Sequence, residues 1–137
     1  GEIAEAKAHY LRALELFPRY LDALNNLGLV LTAAGDWKEA EKIYGWLLEE
    51  RPDDPMVHYN IGLLMVRQKK YKEAIEAFGR VAELRPDDPA AYNQMGLIFI
   101  HLGNRTGACR FFNLALQVQG DFSPAKKNKA SFCQEGS

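Results

Sequence analysis

The chain has 137 residues, 47% of them hydrophobic, with 17 basic side chains against 18 acidic ones. This composition is ordinary for a soluble folded protein, and the net charge of −1 argues against a nucleic-acid binder, which usually needs a clear positive excess. No apolar run is long enough to span a bilayer and no secretory signal is visible, so the compartment is unknown, with the cytoplasm as the default. Because the chain begins with Gly1, a targeting segment could have been removed.

The predicted elements are helices joined by short turns. Apolar residues recur at helical spacing through residues 22–34 and again through 37–50. Between these helices, Gly35 suits a left-handed turn and Asp36 suits a helix cap. Pro52 ends the second helix, because proline lacks an amide proton and clashes with the preceding turn.

Residues 55–88 and 89–122 repeat this helix–turn–helix scheme. Their internal turns are predicted at Lys69-Lys70 and Gly103-Asn104, and their first helices are predicted to be capped by Asp54 and Asp88. Single helices flank the pairs, one at 3–17 and one at about 124–133 with Ser123 as its cap. The last residues, 134–137, are expected to fray.

The chain repeats itself every 34 residues. The members of four such series are Gly28, Gly62 and Gly96; Ala40, Ala74 and Ala108; Tyr44, Phe78 and Phe112; and Pro18, Pro52 and Pro86. A fixed period of this length predicts stacked supersecondary units. We expect the small residues at close helix crossings and the rings in the space between neighbouring helix pairs.

This pattern resembles the tetratricopeptide repeat (TPR) family, whose signature includes a Leu-Gly pair and a later Ala, ring and Pro. Leu27-Gly28, Ile61-Gly62 and Met95-Gly96 match the Leu-Gly pair, whereas Gly120 stands where the third unit should have Pro. The resemblance implies an all-α, right-handed superhelical solenoid of antiparallel helix pairs. The implied division is a truncated unit at 1–20, full units at 21–54, 55–88 and 89–122, and a C-terminal capping helix and tail at 123–137.

The resemblance also implies that the first helices of successive units line a concave groove. The predicted peptide-binding residues on these helices are Asn25, Asn26, Leu29, Met56, Tyr59, Asn60, Leu63, Arg67, Asn93, Gln94, Leu97, His101 and Asn128. One row of them, at 34-residue steps, is Asn26, Asn60, Gln94 and Asn128. Each carboxamide offers a donor and an acceptor and can pair with an extended peptide backbone. The alternative is that these amides serve local packing or hydration.

A second family function is a carboxylate clamp for heat-shock chaperone tails. In this register the clamp positions hold Asn25 and Leu29, then Asn60, then Ala90 and Gln94, and only the middle Asn agrees. A terminal carboxylate needs positive charge or clustered donors, so chaperone-tail binding is not expected.

No motif for chemistry is apparent. His58 takes the place of Leu24 and Tyr92 and is predicted to pack inside its own unit, since a metal site needs several converging ligands. We therefore predict no catalytic residue, no metal and no cofactor. Cys109 and Cys133 fall at helix ends that could meet, so a disulfide is geometrically possible. Nothing else in the sequence indicates an oxidising compartment, and the sequence leaves their pairing open.

The sequence therefore predicts a non-enzymatic scaffold that binds an extended peptide or helix of another protein. Two alternatives stay open: self-association into a homo-oligomer through the unpartnered N-terminal helix, and a substrate-recruiting arm of a larger enzyme.

Overall fold

The computed structural model describes residues 5, 8, 9, 12, 15–17 and 19–134. In these ranges all regular secondary structure is α-helical. The helices are α1 (Tyr20–Ala34), α2 (Trp37–Glu50), α3 (Pro55–Arg67), α4 (Tyr71–Leu84), α5 (Pro89–His101), α6 (Arg105–Val118) and α7 (Ser123–Phe132). They belong to two compact units, Gly1–Pro52 and Asp53–Ser137.

Some predictions fall on the rest of the chain. The helix predicted at 3–17 lies mostly outside the described residues, as do residues 135–137. None of the helices in the described ranges is both long and apolar enough to cross a membrane.

The first unit holds one helix pair, α1 and α2, packed against each other with Leu24, Tyr44 and Leu47 buried. Gly28 lies against the Tyr44 ring, since a Cβ atom at Gly28 would be 2.7 Å from Tyr44 Cζ. Asp36 precedes α2 as predicted, but only its backbone carbonyl takes part, accepting from Ala40 N at 3.1 Å.

The second unit stacks two pairs and a single helix. α3 packs on α4, α5 on α6, and the pairs join where α4 meets α5 and α6 meets α7. The central cluster consists of Ala74, Phe78, Val81, Ala91, Met95 and Ile98, all buried. This cluster combines side chains of α4 and α5, so it exists only because neighbouring pairs stack.

The repeated glycines and rings face each other inside each pair. A Cβ atom at Gly62 would be 2.6 Å from Phe78 Cζ, and one at Gly96 would be 2.4 Å from Phe112 Cε1. The rings were expected between neighbouring pairs. Phe78 does belong to the cluster shared with α5, but its ring edge also occupies the space that the absent side chain of Gly62 leaves open.

Of the four predicted side-chain caps, Asp54 and Asp88 are confirmed, whereas Asp36 and Ser123 are not. Asp54 Oδ1 accepts from Met56 N at 2.9 Å, and Asp88 Oδ1 accepts from Ala90 N at 2.9 Å. Ser123 instead begins α7 itself, with Phe122 in the cap position and a proline in the first turn.

The three turns inside the pairs share a left-handed residue at 34-residue steps. Its φ is 86° at Gly35, 59° at Lys69 and 76° at Gly103. Glycine adopts this conformation without steric cost, whereas a side chain with a Cβ does not. Lys69 is therefore strained where its two counterparts are relaxed.

The structure resolves the pairing that the sequence left open: Cys109 and Cys133 form a disulfide, with an S–S distance of 2.06 Å and Cα atoms 5.8 Å apart. The start of α6 and the end of α7 meet because the two helices run antiparallel. Arg105 reinforces this junction, donating to the backbone oxygens of Phe132 and of Gln134, the latter at 3.0 Å. The sequence left the pairing open because the antiparallel helix ends favoured a bond, whereas nothing else indicated an oxidising compartment.

Candidate functional site

The predicted binding residues lie on the first helix of each pair and on α7. In the first unit, α1 carries Asn25 (half-buried), Asn26 (exposed) and Leu29 (39% exposed). In the second unit, Met56, Arg67 and His101 are exposed; Tyr59, Leu63, Gln94, Leu97 and Asn128 are half-buried; Asn60 and Asn93 are buried. In the second unit, α5 contacts α7 directly, and both helices also contact α6.

A hydrogen bond joins α3 to α5. Gln94 Nε2 donates to the Tyr59 hydroxyl at 3.1 Å. The Tyr59 ring also packs edge-on against Phe78, with centroids 5.3 Å apart and planes at 72°. Burial raises the pKa of Tyr59, and the bond from Gln94 partly opposes this shift. Tyr59 is thus held in place from two sides.

A second bond of the same kind joins α5 to α7. Asn128 Nδ2 donates to Asn93 Oδ1 at 2.9 Å. Both bonds connect residues 35 apart, one more than the repeat. Each therefore links a member of the predicted amide row, Gln94 or Asn128, to the residue just before the corresponding position of the preceding unit. These two hydrogen bonds hold neighbouring helices together, and they do not consume all of the hydrogen-bonding groups of the amides that make them.

Apolar side chains lie next to these polar pairs. Leu63 and Leu97 occupy the same repeat position on α3 and α5, and both are half-buried. Leu63 and Tyr59 pack against the central cluster, which fixes their positions. Met56, at the start of α3, is 49% exposed. The surface thus offers adaptable apolar area beside oriented amides.

Basic and aromatic groups lie at the turn end of the same helices. Arg67 and His101 end α3 and α5 at equivalent repeat positions, and both are exposed. The His101 ring stacks on Tyr71 of α4, with centroids 5.7 Å apart and planes 10° from parallel. Arg67 and His101 were predicted from the sequence, whereas Tyr71 was not, because its ring stacks on a residue of the next helix pair.

An open cavity of about 300 Å³ lies near the disulfide, lined by Ile100, Gly103, Arg105, Ser131 and Phe132. Its basic side chain, Arg105, already binds two backbone oxygens. Among the described residues, no group of His, Cys, Asp and Glu side chains could hold a metal ion. His58, predicted to pack inside its unit, is half-buried, whereas the equivalent Leu24 is buried.

The sequence model described as tetratricopeptide repeat matches residues 1–55, 33–89 and 59–124 of this chain. No curated protein sequence gives a significant match. Several solved structures share the fold, which confirms the all-α arrangement of stacked helix pairs expected from the sequence.

The first TPR of Spaghetti (RPAP3), bound to the HSP90 peptide SRMEEVD, has a TM-score of 0.73 at 19% identity, covering 83% of this chain and 90% of that one. The Sgt2 TPR domain from Aspergillus fumigatus has a TM-score of 0.74 at 17% identity, covering 82% and 76%. YrrB, a TPR protein with an unusual peptide-binding site, has a TM-score of 0.73 at 23% identity, covering 91% and 68%. At these identities the likeness concerns the fold alone.

Proposed function

Because this chain belongs to the tetratricopeptide repeat family, whose members are generally non-enzymatic interaction modules, we propose that it binds an extended segment of another protein along α3, α5 and α7. One observation carries the proposal: the half-buried Leu63 and Leu97 occupy equivalent positions on α3 and α5, next to amide side chains that hydrogen bonds hold in place. Apolar positions for alternate side chains and fixed amides for the backbone are what an extended peptide requires.

The amides are preorganised for this role by the bonds they already make. Gln94 and Asn128 each use an amide proton to reach the preceding helix. Their carbonyl oxygens are acceptors that a peptide N–H group can use. Since the side chains are already held, less rotamer entropy is lost when a ligand binds.

The solved relatives are consistent with this class of ligand. The Spaghetti domain was solved with a peptide of HSP90, and YrrB is described as having a peptide-binding site. The clamp positions of this chain include Leu29 and Ala90, which cannot grip a terminal carboxylate. The proposed ligand is therefore an internal extended segment rather than a chaperone tail.

The test is selection of peptides from a random displayed library against residues 1–137, followed by affinity measurement by calorimetry. The double variant Leu63→Gln/Leu97→Gln should bind the selected peptides at least about tenfold more weakly, because each buried leucine contact contributes on the order of 1 kcal/mol. Leu114→Gln is the matched control, since Leu114 is 39% exposed on the second helix α6. Circular dichroism confirms that each variant is folded.

Failure to select any peptide would remove the proposed function. Equal binding by the double variant and the control would place the ligand elsewhere on the chain.

Self-association remains a second candidate, favoured by the exposure of Leu16 (69%) and Phe17 (66%). Two neighbouring apolar side chains left in solvent favour burial against another copy. Light scattering across a hundredfold concentration range distinguishes the two functions, because a monomer at the highest concentration excludes assembly.

A further inference from the structure

Lys69 places a charged side chain at a turn position where the left-handed backbone favours glycine. Its φ of 59° is left-handed, and the corresponding residues of the other two turns, Gly35 and Gly103, are both glycine. A lysine in this conformation destabilises the turn relative to glycine. Strain of this kind at an exposed residue indicates a role for the side chain that folding does not require.

The strained lysine belongs to a concentration of positive charge. Four of the six residues at 67–72 are basic, namely Arg67, Lys69, Lys70 and Lys72, and we call this segment the basic turn. The opposite ends of the same helices carry aspartates instead, at Asp53, Asp54, Asp87, Asp88 and Asp121. Three of these have roles in the fold: Asp54 and Asp88 cap helices, and Asp53 pairs with Arg80 at 2.6 Å. Basic side chains therefore concentrate at the turn between α3 and α4, and aspartates at the opposite ends of these helices.

The basic turn is continuous with the proposed peptide surface. Arg67 follows Leu63 by one helical turn on α3, so both lie on the same face. His101 lies at the equivalent position at the end of α5. Its ring stacks on Tyr71, the first residue of α4, and Tyr71 is itself part of the basic turn. A peptide lying over Leu63 and Leu97 would meet this charge where α3 ends, and would meet the exposed Lys126, Lys127 and Lys129 on α7.

We propose that the basic turn binds an acidic segment of the peptide ligand, beside the apolar contacts that the peptide makes with α3 and α5. The inference rests on the proposed function and adds the chemistry of the partner: apolar side chains at alternate positions, with a run of Asp or Glu beside them. Exposed lysine and arginine pair with such carboxylates and draw the segment in by long-range attraction. A peptide is favoured over a lipid surface because the charge adjoins a row of half-buried leucines set among fixed amides.

The first test is the composition of the peptides selected from the random library. Asp and Glu should be enriched in a run beside the apolar positions of the aligned sequences. For a selected peptide, replacing its acidic run with Asn and Gln should weaken binding about tenfold at low salt, and 500 mM NaCl should remove most of that difference.

The second test uses Lys69→Gly, for which affinity and stability should change in opposite directions. Its melting temperature should rise by about 2–4 °C because the strain is relieved. Its affinity for the acidic peptide should fall about threefold, and that of Arg67→Gln/Lys69→Gly about tenfold, as expected for exposed charge pairs. Lys69→Asn, which tolerates the left-handed backbone, should lose the same affinity as Lys69→Gly.

Arg85→Gln is the matched control, since Arg85 is an exposed basic residue at the opposite ends of the helices. It should bind as the wild type does. Selected peptides without acidic enrichment, or unchanged affinity in Lys69→Gly, would overturn the inference while leaving the proposed function intact. Binding to phosphatidylserine vesicles that depends on Lys69 and excludes the peptide would show a lipid surface to be the partner instead.

Discussion

Asn128 on the last helix donates a hydrogen bond to Oδ1 of Asn93 on α5, 2.9 Å away. Asn93 is 5% exposed, so water has little access to its carbonyl oxygen. When α7 packs against α5, Asn128 therefore supplies the hydrogen bond that the buried carbonyl oxygen of Asn93 needs.

Replacing Asn128 with Ala should lower the free energy of unfolding by about 1–2 kcal/mol, because the Asn93 carbonyl loses its partner while still largely buried. Urea unfolding followed by circular dichroism measures this. Lys127→Ala, at the exposed neighbouring residue of α7, should be near neutral. A similar loss in both variants would mean that helix propensity, and not the bond, sets the cost.

Gly62→Ala should destabilise the chain by about 1–3 kcal/mol, because the new Cβ atom overpacks the ring of Phe78, 2.6 Å away. Gly79→Ala is the contrasting variant. It lies inside α4 with nothing within 4 Å of its Cβ, so it should stabilise by about 0.5–1 kcal/mol. Melting temperatures that move in the same direction for both variants would contradict the packing described for Gly62.

Tyr44→Phe should leave stability unchanged or raise it by about 1 kcal/mol, because the buried Tyr44 hydroxyl makes no well-formed hydrogen bond within the described part of the chain. Thr32 lies beside this hydroxyl, but Thr32 Oγ1 donates to the Gly28 carbonyl at 2.8 Å instead. The equivalent positions hold Phe78 and Phe112. The same substitution should also change how the free energy of unfolding depends on pH under alkaline conditions.

Burial raises the pKa of Tyr44 to about 12 from its usual value of 10.0, and the neighbouring Thr32 side chain partly opposes this shift. The unfolded chain therefore releases this proton at lower pH than the folded one, and the contribution to stability is complete below pH 10 and lost as pH rises towards 12. Urea midpoints measured between pH 9 and 12 should fall less steeply for Tyr44→Phe than for the wild type. Parallel curves would show that other groups control alkaline unfolding.

Reducing the Cys109–Cys133 bond should lower stability by about 3 kcal/mol, the chain-entropy value for a cross-link between residues 24 apart. Urea midpoints with and without reductant measure the difference, and intact mass without reductant confirms the bond. Cys109→Ser/Cys133→Ser should match the reduced protein and no longer respond to reductant. Identical midpoints in all samples would mean that the cross-link does not restrain the unfolded chain.

The 34-residue period was enough to predict the helix pairs, the left-handed turn at Gly35 and the caps at Asp54 and Asp88, because these depend on local sequence alone. It did not predict that Gln94 and Asn128 bind residues 35 positions earlier, because that depends on how far neighbouring helices are rotated about their axes. The left-handed backbone of Lys69 could have been inferred from Gly35 and Gly103, since all three occupy one repeat position.

The disulfide also determines how a mechanical load would travel through the second unit. Tension applied to the chain after Cys133 passes through the sulfur atoms to Cys109 at the start of α6. Residues 110–132, which include α7 and most of α6, are enclosed by the cross-link and bear none of that tension while the bond is intact. A pull from this end would therefore act first on the turn between α5 and α6, where Gly103 lies, and reduction would transfer the load to the last helix.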